Sequence, residues 1–254
     1  MSITVELTGK GPDLVLLHGW GMNSAVWHGV APLLANHYRL HLVDLPGFGA
    51  SALPDRVDYS LEWLAEEVVK VLPERTILLG WSLGGLVASQ IALTHPQRVQ
   101  QLITVASSPC FLAREGWPGI APKVLDGFQQ MLKGDFNQTI ERFLAIQAMG
   151  SEHARDDIRQ LRRWLAERPA PSPVALAEGL RLLAEVDLRA AMDNWQGSWL
   201  RLYGRLDALV PRAVVPLLDA RFPHSSSLVF EKASHAPFIS HPEEFCRRLG
   251  AMID

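Results

Sequence analysis

The sequence predicts an α/β fold: a mostly parallel central sheet with helices on both faces, interrupted by an inserted block of helices. Three observations predict it. Short apolar runs of strand length alternate with amphipathic segments over residues 14–105, and again from 199 to 252. One run, Thr76-Ile77-Leu78-Leu79, empties into Gly80-Trp81-Ser82-Leu83-Gly84 and then into helix-like sequence. Between the two alternating parts, residues 111–187 carry no convincing strand. The expected division is a core of residues 1–110 and 188–254 with a helical insertion of residues 111–187.

Each element follows from local pattern. Leu14-Val15-Leu16-Leu17 is an apolar strand running into His18-Gly19-Trp20-Gly21, a turn whose backbone N–H groups can point at a ligand. Residues 26–35 read as a helix. Leu40-His41-Leu42-Val43 is the next strand and ends in the turn-rich Asp44-Leu45-Pro46-Gly47-Phe48-Gly49. In residues 61–72, Leu61, Leu64, Val68, Val69 and Leu72 recur at helical spacing. After the central strand and its turn, residues 86–93 form a helix that stops before Pro96. Residues 99–105 are a strand leading into Ala106-Ser107-Ser108-Pro109. The insertion resolves into helices at 121–132, 136–149, 155–166 and 174–185, with Pro169-Ala170-Pro171-Ser172-Pro173 as a stiff joint. A strand at 199–203, a helix at 213–218, a strand at 227–230 and a helix at 242–252 complete the chain.

Bulk properties set the outer bounds. With 254 residues, 48% of them hydrophobic, the chain can bury a sizeable core. A net charge of -3 makes no global case for nucleic acid or an anionic membrane. The N-terminal part has no apolar run long enough for export or for a bilayer, so a soluble cytoplasmic protein is expected. Cys110 and Cys246 have no ligand spacing and read as free thiols in a reducing compartment. No H-E-x-x-H or comparable cluster appears, so neither a metal nor a cofactor is expected.

The turn after the central strand carries the chemical signal. G-x-S-x-G between a buried strand and a helix is a nucleophile elbow, which holds a serine hydroxyl clear of the sheet edge. A serine needs an adjacent base, itself oriented by a third group. Among the histidines after Ser82, His95 lies at the far end of the elbow helix, His153 in the insertion, and His224 before a strand. His241 reads as a cap of the last helix. His235 lies in a loop beyond a strand's C-terminal edge, where open α/β sheets place their sites. Asp207, in Gly204-Arg205-Leu206-Asp207, occupies a matching loop, with Asp187 and Asp193 as weaker rivals. The N–H groups of Leu83 and Trp20 are the candidate oxyanion donors.

Taken together, Leu16-Leu17-His18-Gly19-Trp20-Gly21, Gly80-Trp81-Ser82-Leu83-Gly84-Gly85, Ala106-Ser107-Ser108-Pro109-Cys110 and His235-Ala236-Pro237-Phe238 resemble an α/β-hydrolase with a helical cap. The resemblance is narrowest to the pimeloyl-[acyl-carrier protein] methyl ester esterases of bacterial biotin synthesis and runs over essentially the whole length. It implies Ser82 as nucleophile, Asp207 and His235 as its partners, and Trp20 with Leu83 at the oxyanion. It also implies substrate contact by Phe143, Leu144, Ala145, Ile146 and Gln147 and an acyl carrier protein as partner; a monomer is expected. Arg142, Arg155 and Arg159 match positions with which that family holds the carrier, whereas Gln138 stands where the family has a further arginine. Helical periodicity independently puts Arg155, Arg159, Arg162 and Arg163 on one face and Ile158, Leu161 and Leu165 on another. The same triad would serve a broad-specificity short-chain carboxylesterase or thioesterase. A non-catalytic binding protein on this fold is disfavoured because all three triad candidates are present.

Overall fold

The computed structural model describes residues 3–253. It begins with a strand absent from the expected elements, β1 (Val5–Gly9), followed by β2 (Asp13–Leu17). β1 has no apolar run because it is an edge strand: Leu7 stands 62% exposed on it. The predicted helix over 26–35 is instead a 3-10 turn, Ser24–Gly29, and a separate short helix α1 (Ala31–Leu34). Pro32 lacks the N–H needed to continue the first segment, so the helix starts afresh. β3 (Arg39–Val43) is followed by α2 (Leu61–Val69), whose first turn is capped by Ser60 accepting from the Trp63 N–H.

β4 (Thr76–Trp81) is buried throughout, and α3 (Leu83–Thr94) begins on the residue after Ser82, earlier than the predicted 86. Its early turns contain Gly84 and Gly85, poor helix formers. They are retained for space. A Cβ on Gly84 would stand 2.5 Å from the carbonyl oxygens of Leu17 and His18. Next comes β5 (Val99–Val105), and then the chain leaves the sheet for α4 (Pro122–Gly134), α5 (Phe136–Gln147), α6 (Ala154–Ala166) and α7 (Pro173–Glu185). The excursion closes on itself at a narrow neck. Cys110 bridges Asp187, and the Leu188 N–H donates to the Pro109 carbonyl at 2.8 Å. The short α8 (Arg189–Met192) leads back to β6 (Ser198–Gly204), followed by α9 (Val214–Arg221), β7 (Ser226–Phe230), α10 (Pro237–Ser240) and α11 (Pro242–Gly250).

Among the described residues the strands form one sheet in the order β1-β3-β2-β4-β5-β6-β7, antiparallel at β1 and parallel elsewhere. β4 is therefore central. Its C-terminal end lies between the loops that leave β2 and β5, and those after β6 and β7 open on the same edge. The apolar side chains of β2, β4 and β5 are buried on both faces, as parallel strands covered by helices require. His241 directly precedes α11 but does not cap it with its side chain; its ring bonds Ser240 Oγ instead. Cys110 is buried and Cys246 half-buried, and both are free; burial pushes the Cys246 thiol up to about 12. Among the described residues no helix is long and apolar enough to cross a membrane.

Candidate active site

Ser82 has φ 54 and ψ -118, a left-handed region that non-glycine residues rarely occupy. Such a conformation costs of the order of 1–3 kcal/mol and persists only where the surroundings impose it. Here they do. The Ser82 N–H donates to the Val105 carbonyl at 2.9 Å, and its carbonyl accepts from the Gly85 N–H at 2.9 Å and Ser107 Oγ at 2.9 Å. A Cβ on Gly80 would lie 2.1 Å from the Gly84 carbonyl oxygen, so the turn closes only over glycine. Ser107 has no role in the sequence reading; its neighbour Ala106 is also at positive φ.

Asp207 and His235 arrive on the loops after β6 and β7. Their side chains are fully buried, and His235 Nδ1 meets Asp207 Oδ2 at 2.8 Å. The second carboxylate oxygen accepts from the N–H groups of Leu209 and Val210 at 2.8 and 2.9 Å. These bonds fix the carboxylate in place against the imidazole. The rivals are committed elsewhere: Asp187 pairs with Arg189 at 2.6 Å, and Asp193 with Arg221 at 2.7 Å. His235 is held against the elbow strand by Trp81, whose indole N–H donates to the His235 carbonyl at 2.8 Å. The imidazole Nε2 is buried and hydrogen-bonds to no described residue, Ser82 Oγ included. Catalytic hydrogen bonds often tighten only once substrate is bound. Ser82 itself is 3% exposed.

The loop after β2 touches the nucleophile, for a Cβ on Gly19 would stand 3.1 Å from Ser82 Cβ. Leu83 is the first residue of α3, so its N–H has no intrahelical acceptor. The Trp20 indole donates to the Leu176 carbonyl on α7 at 2.8 Å, and its ring meets Phe143 at 4.6 Å. His18 sets this loop. Its Nε2 accepts from the Leu45 N–H at 3.0 Å, which leaves the proton on Nδ1 to donate to the Gly19 carbonyl at 2.8 Å. Burial holds the His18 pKa below the ordinary 6.5, against the opposing pull of Asp44.

The sign of the pH effect follows. A lowered folded-state pKa means that the unfolded chain binds the His18 proton first as pH falls. Stability from neutral His18 is full above about pH 6.5 and declines below it, by at most about 1.4 kcal/mol per pH unit. Urea unfolding at pH 7.5 and 5.5 should therefore show a smaller loss for His18→Gln than for the unsubstituted chain. Equal losses would remove His18 from the account.

In the insertion, Phe143, Leu144 and Gln147 are buried, Ile146 is half-buried and Ala145 is exposed. Both amide atoms of Gln147 are buried without a hydrogen bond to any described residue. Arg142, Arg155 and Arg159 are exposed, but the predicted cationic face is partly neutralised. Arg159 pairs with Asp156, Arg162 with Glu141, and Arg163 stands 3.9 Å from Glu167. Arg142 and Arg155 have no ion pair among the described residues. Gln138 is exposed. Among the described residues no group of His, Cys, Asp or Glu is arranged to hold a metal ion.

A strained serine between two close-packed glycines, an aspartate-bound histidine and a touching Gly-rich loop on one sheet edge define a hydrolase site. The chain belongs to the α/β hydrolase fold family, whose family model matches residues 12–242. It is 73% identical over 245 residues to the pimeloyl-[acyl-carrier protein] methyl ester esterase of Aeromonas hydrophila, covering 96% of each chain. To the protein of that name from Salmonella typhimurium it is 57% identical over 236 residues, covering 93% of this chain and 91% of the other. Among solved structures it resembles an esterase from Exiguobacterium antarcticum, with 26% identity, a TM-score of 0.87 and coverage of 98% and 94%. A bromoperoxidase from Bacillus anthracis shares the fold, with 21% identity, a TM-score of 0.88 and coverage of 98% and 94%.

Proposed function

We propose that the chain is a serine carboxylesterase that hydrolyses the methyl ester of pimeloyl-[acyl-carrier protein] in biotin synthesis. Its products are methanol and free pimeloyl-[acyl-carrier protein]. The observation that carries this function is the 73% identity, over 96% of both chains, to a relative of that name. The 2.8 Å contact between Asp207 and His235 beside the serine elbow supports the chemistry.

His235 Nε2 takes the proton from Ser82 Oγ as the oxygen attacks the ester carbonyl carbon. Asp207 holds the imidazole and stabilises its charge. The negative oxygen of the tetrahedral intermediate rests on the N–H groups of Trp20 and Leu83. The intermediate collapses, breaking the bond to the methoxy oxygen, and methanol departs with the proton from Nε2. Water then gives a proton to His235, attacks the acyl-enzyme and releases the carboxylate by the same route. Residues 111–187 act as the cap, in which Phe143, Leu144, Ala145, Ile146 and Gln147 contact the acyl chain. We take the enzyme to work as a monomer in the cytoplasm, where Cys110 and Cys246 stay reduced.

Carrier docking rests on Arg142, Arg155 and Arg159, with Arg142 and Arg155 offering charge that no carboxylate among the described residues pairs with. Electrostatic complementarity acts chiefly on encounter and orientation. Given carrier-bound pimeloyl methyl ester, the enzyme should release methanol and leave the thioester intact. Release of free carrier thiol instead would make it a thioesterase. Arg142→Glu with Arg155→Glu should raise KM for the carrier ester by about tenfold or more, with a short free ester affected less than about twofold. Equal losses on both substrates would undo the docking proposal.

A further inference from the structure

The insertion holds the loops that bear the chemistry, and it does so with main-chain carbonyls. At the end of α5 the Gln147 carbonyl accepts from the His235 backbone N–H at 3.2 Å. Just past it, the Met149 carbonyl accepts from Ser234 Oγ at 2.8 Å. On α7 the Leu176 carbonyl accepts from the Trp20 indole at 2.8 Å. From the core, the Trp81 indole holds the His235 carbonyl. Ser234 is 2% exposed, so water is a poor substitute for the acceptor its hydroxyl has found.

We infer that Ser234 is a positioning residue for His235: its hydroxyl fastens the 233–236 loop to the end of α5, so the base is aligned while the cap is seated. This rests on the triad assigned above. Among the described residues the bond is the one side-chain hydrogen bond from residues 233–236 to the insertion; the other contact of the same hydroxyl, to the Leu206 carbonyl, is 3.5 Å long. His235 Nε2 must reach Ser82 Oγ within about 2.6–3.2 Å for proton transfer. A misplacement of about 1 Å can cost about a hundredfold in rate, so a loop freed at its neighbouring residue loses turnover before it loses affinity.

The consequence extends to the carrier. α5 bears Arg142 on its exposed side and Phe143 and Gln147 on its buried side, and its C-terminal end holds the histidine loop. One helix thus joins the docking surface to the base.

The test compares the unsubstituted enzyme with Ser234→Ala, Ser234→Thr and Ser234→Cys on p-nitrophenyl butyrate, measuring kcat, KM and Tm. Hydrogen exchange at the His235 amide is followed in parallel. Ser234→Ala should lower kcat about 10- to 100-fold with KM within about twofold, and speed exchange at His235. Ser234→Thr, which keeps the hydroxyl, should recover most of kcat, and Ser234→Cys, a weaker donor, should fall between. An alanine variant with kcat within about twofold of the parent would overturn the inference, as would a loss that threonine does not repair. Should the alanine variant not fold, equal kcat in the cysteine and threonine variants would overturn it too. Ser82→Ala runs alongside: turnover surviving there would break the triad assignment itself. An inert Ser82→Ala beside a fully active Ser234→Ala would break only the inference about Ser234.

Discussion

Ser82→Ala should lower kcat for ester hydrolysis by about 10⁶, to the level supported by oxyanion donors and binding alone. The substitution removes one oxygen and leaves the elbow's framework in place. The bonds that hold residue 82 run through its backbone, to Val105, Gly85 and Ser107, and survive the change. Alanine tolerates φ 54 no better than serine, so the strain is unchanged. Thermal unfolding should therefore shift little while turnover disappears, and active-site titration with a chromogenic ester reads both the burst and the steady rate. A burst of product from the alanine variant would end the assignment of Ser82 as nucleophile.

Asp207→Asn is expected to cost about 10⁴ in kcat. The carboxylate works through two contacts. One oxygen accepts from the backbone of Leu209 and Val210, and the other faces His235 Nδ1. Asparagine can satisfy the first contact with its carbonyl oxygen. It then turns an NH₂ group toward Nδ1, which must become an acceptor. The proton moves to Nε2, and the imidazole can no longer take one from Ser82. The defect is in the tautomer, so KM should change far less than kcat. A loss smaller than about tenfold would show that His235 is oriented by its backbone contacts and not by the aspartate.

Much of this was legible in the sequence for specific physical reasons. β2, β4 and β5 are short apolar runs because helices cover both faces of a parallel sheet. The elbow is legible because Gly80 and Gly84 cannot carry a Cβ. His235 and Asp207 each follow a strand in the sequence, and the fold brings them to 2.8 Å of each other. β1 escaped because an edge strand with exposed Leu7 has no buried run to betray it. The break between Gly29 and Ala31 escaped because apolar spacing alone does not register where a proline forces a new start. Angular position on α6 grouped the arginines correctly but gave no view of Glu141, which reaches Arg162 from another helix. The contacts from Trp81 to His235 and from Ser234 to Met149 link residues 154 and 85 positions apart, and no local pattern encodes them.

The neck at Cys110 and Asp187 ties the insertion to the sheet at a single place in the chain. A lobe that leaves and rejoins the barrel-free core at one spot is open to exchange without disturbing strand order. To hold the loops of Trp20, Ser234 and His235, such a replacement must offer backbone oxygens at the places now filled by Leu176, Met149 and Gln147. Because every peptide unit supplies that atom, the side chains of the insertion can diverge while these loops keep their support.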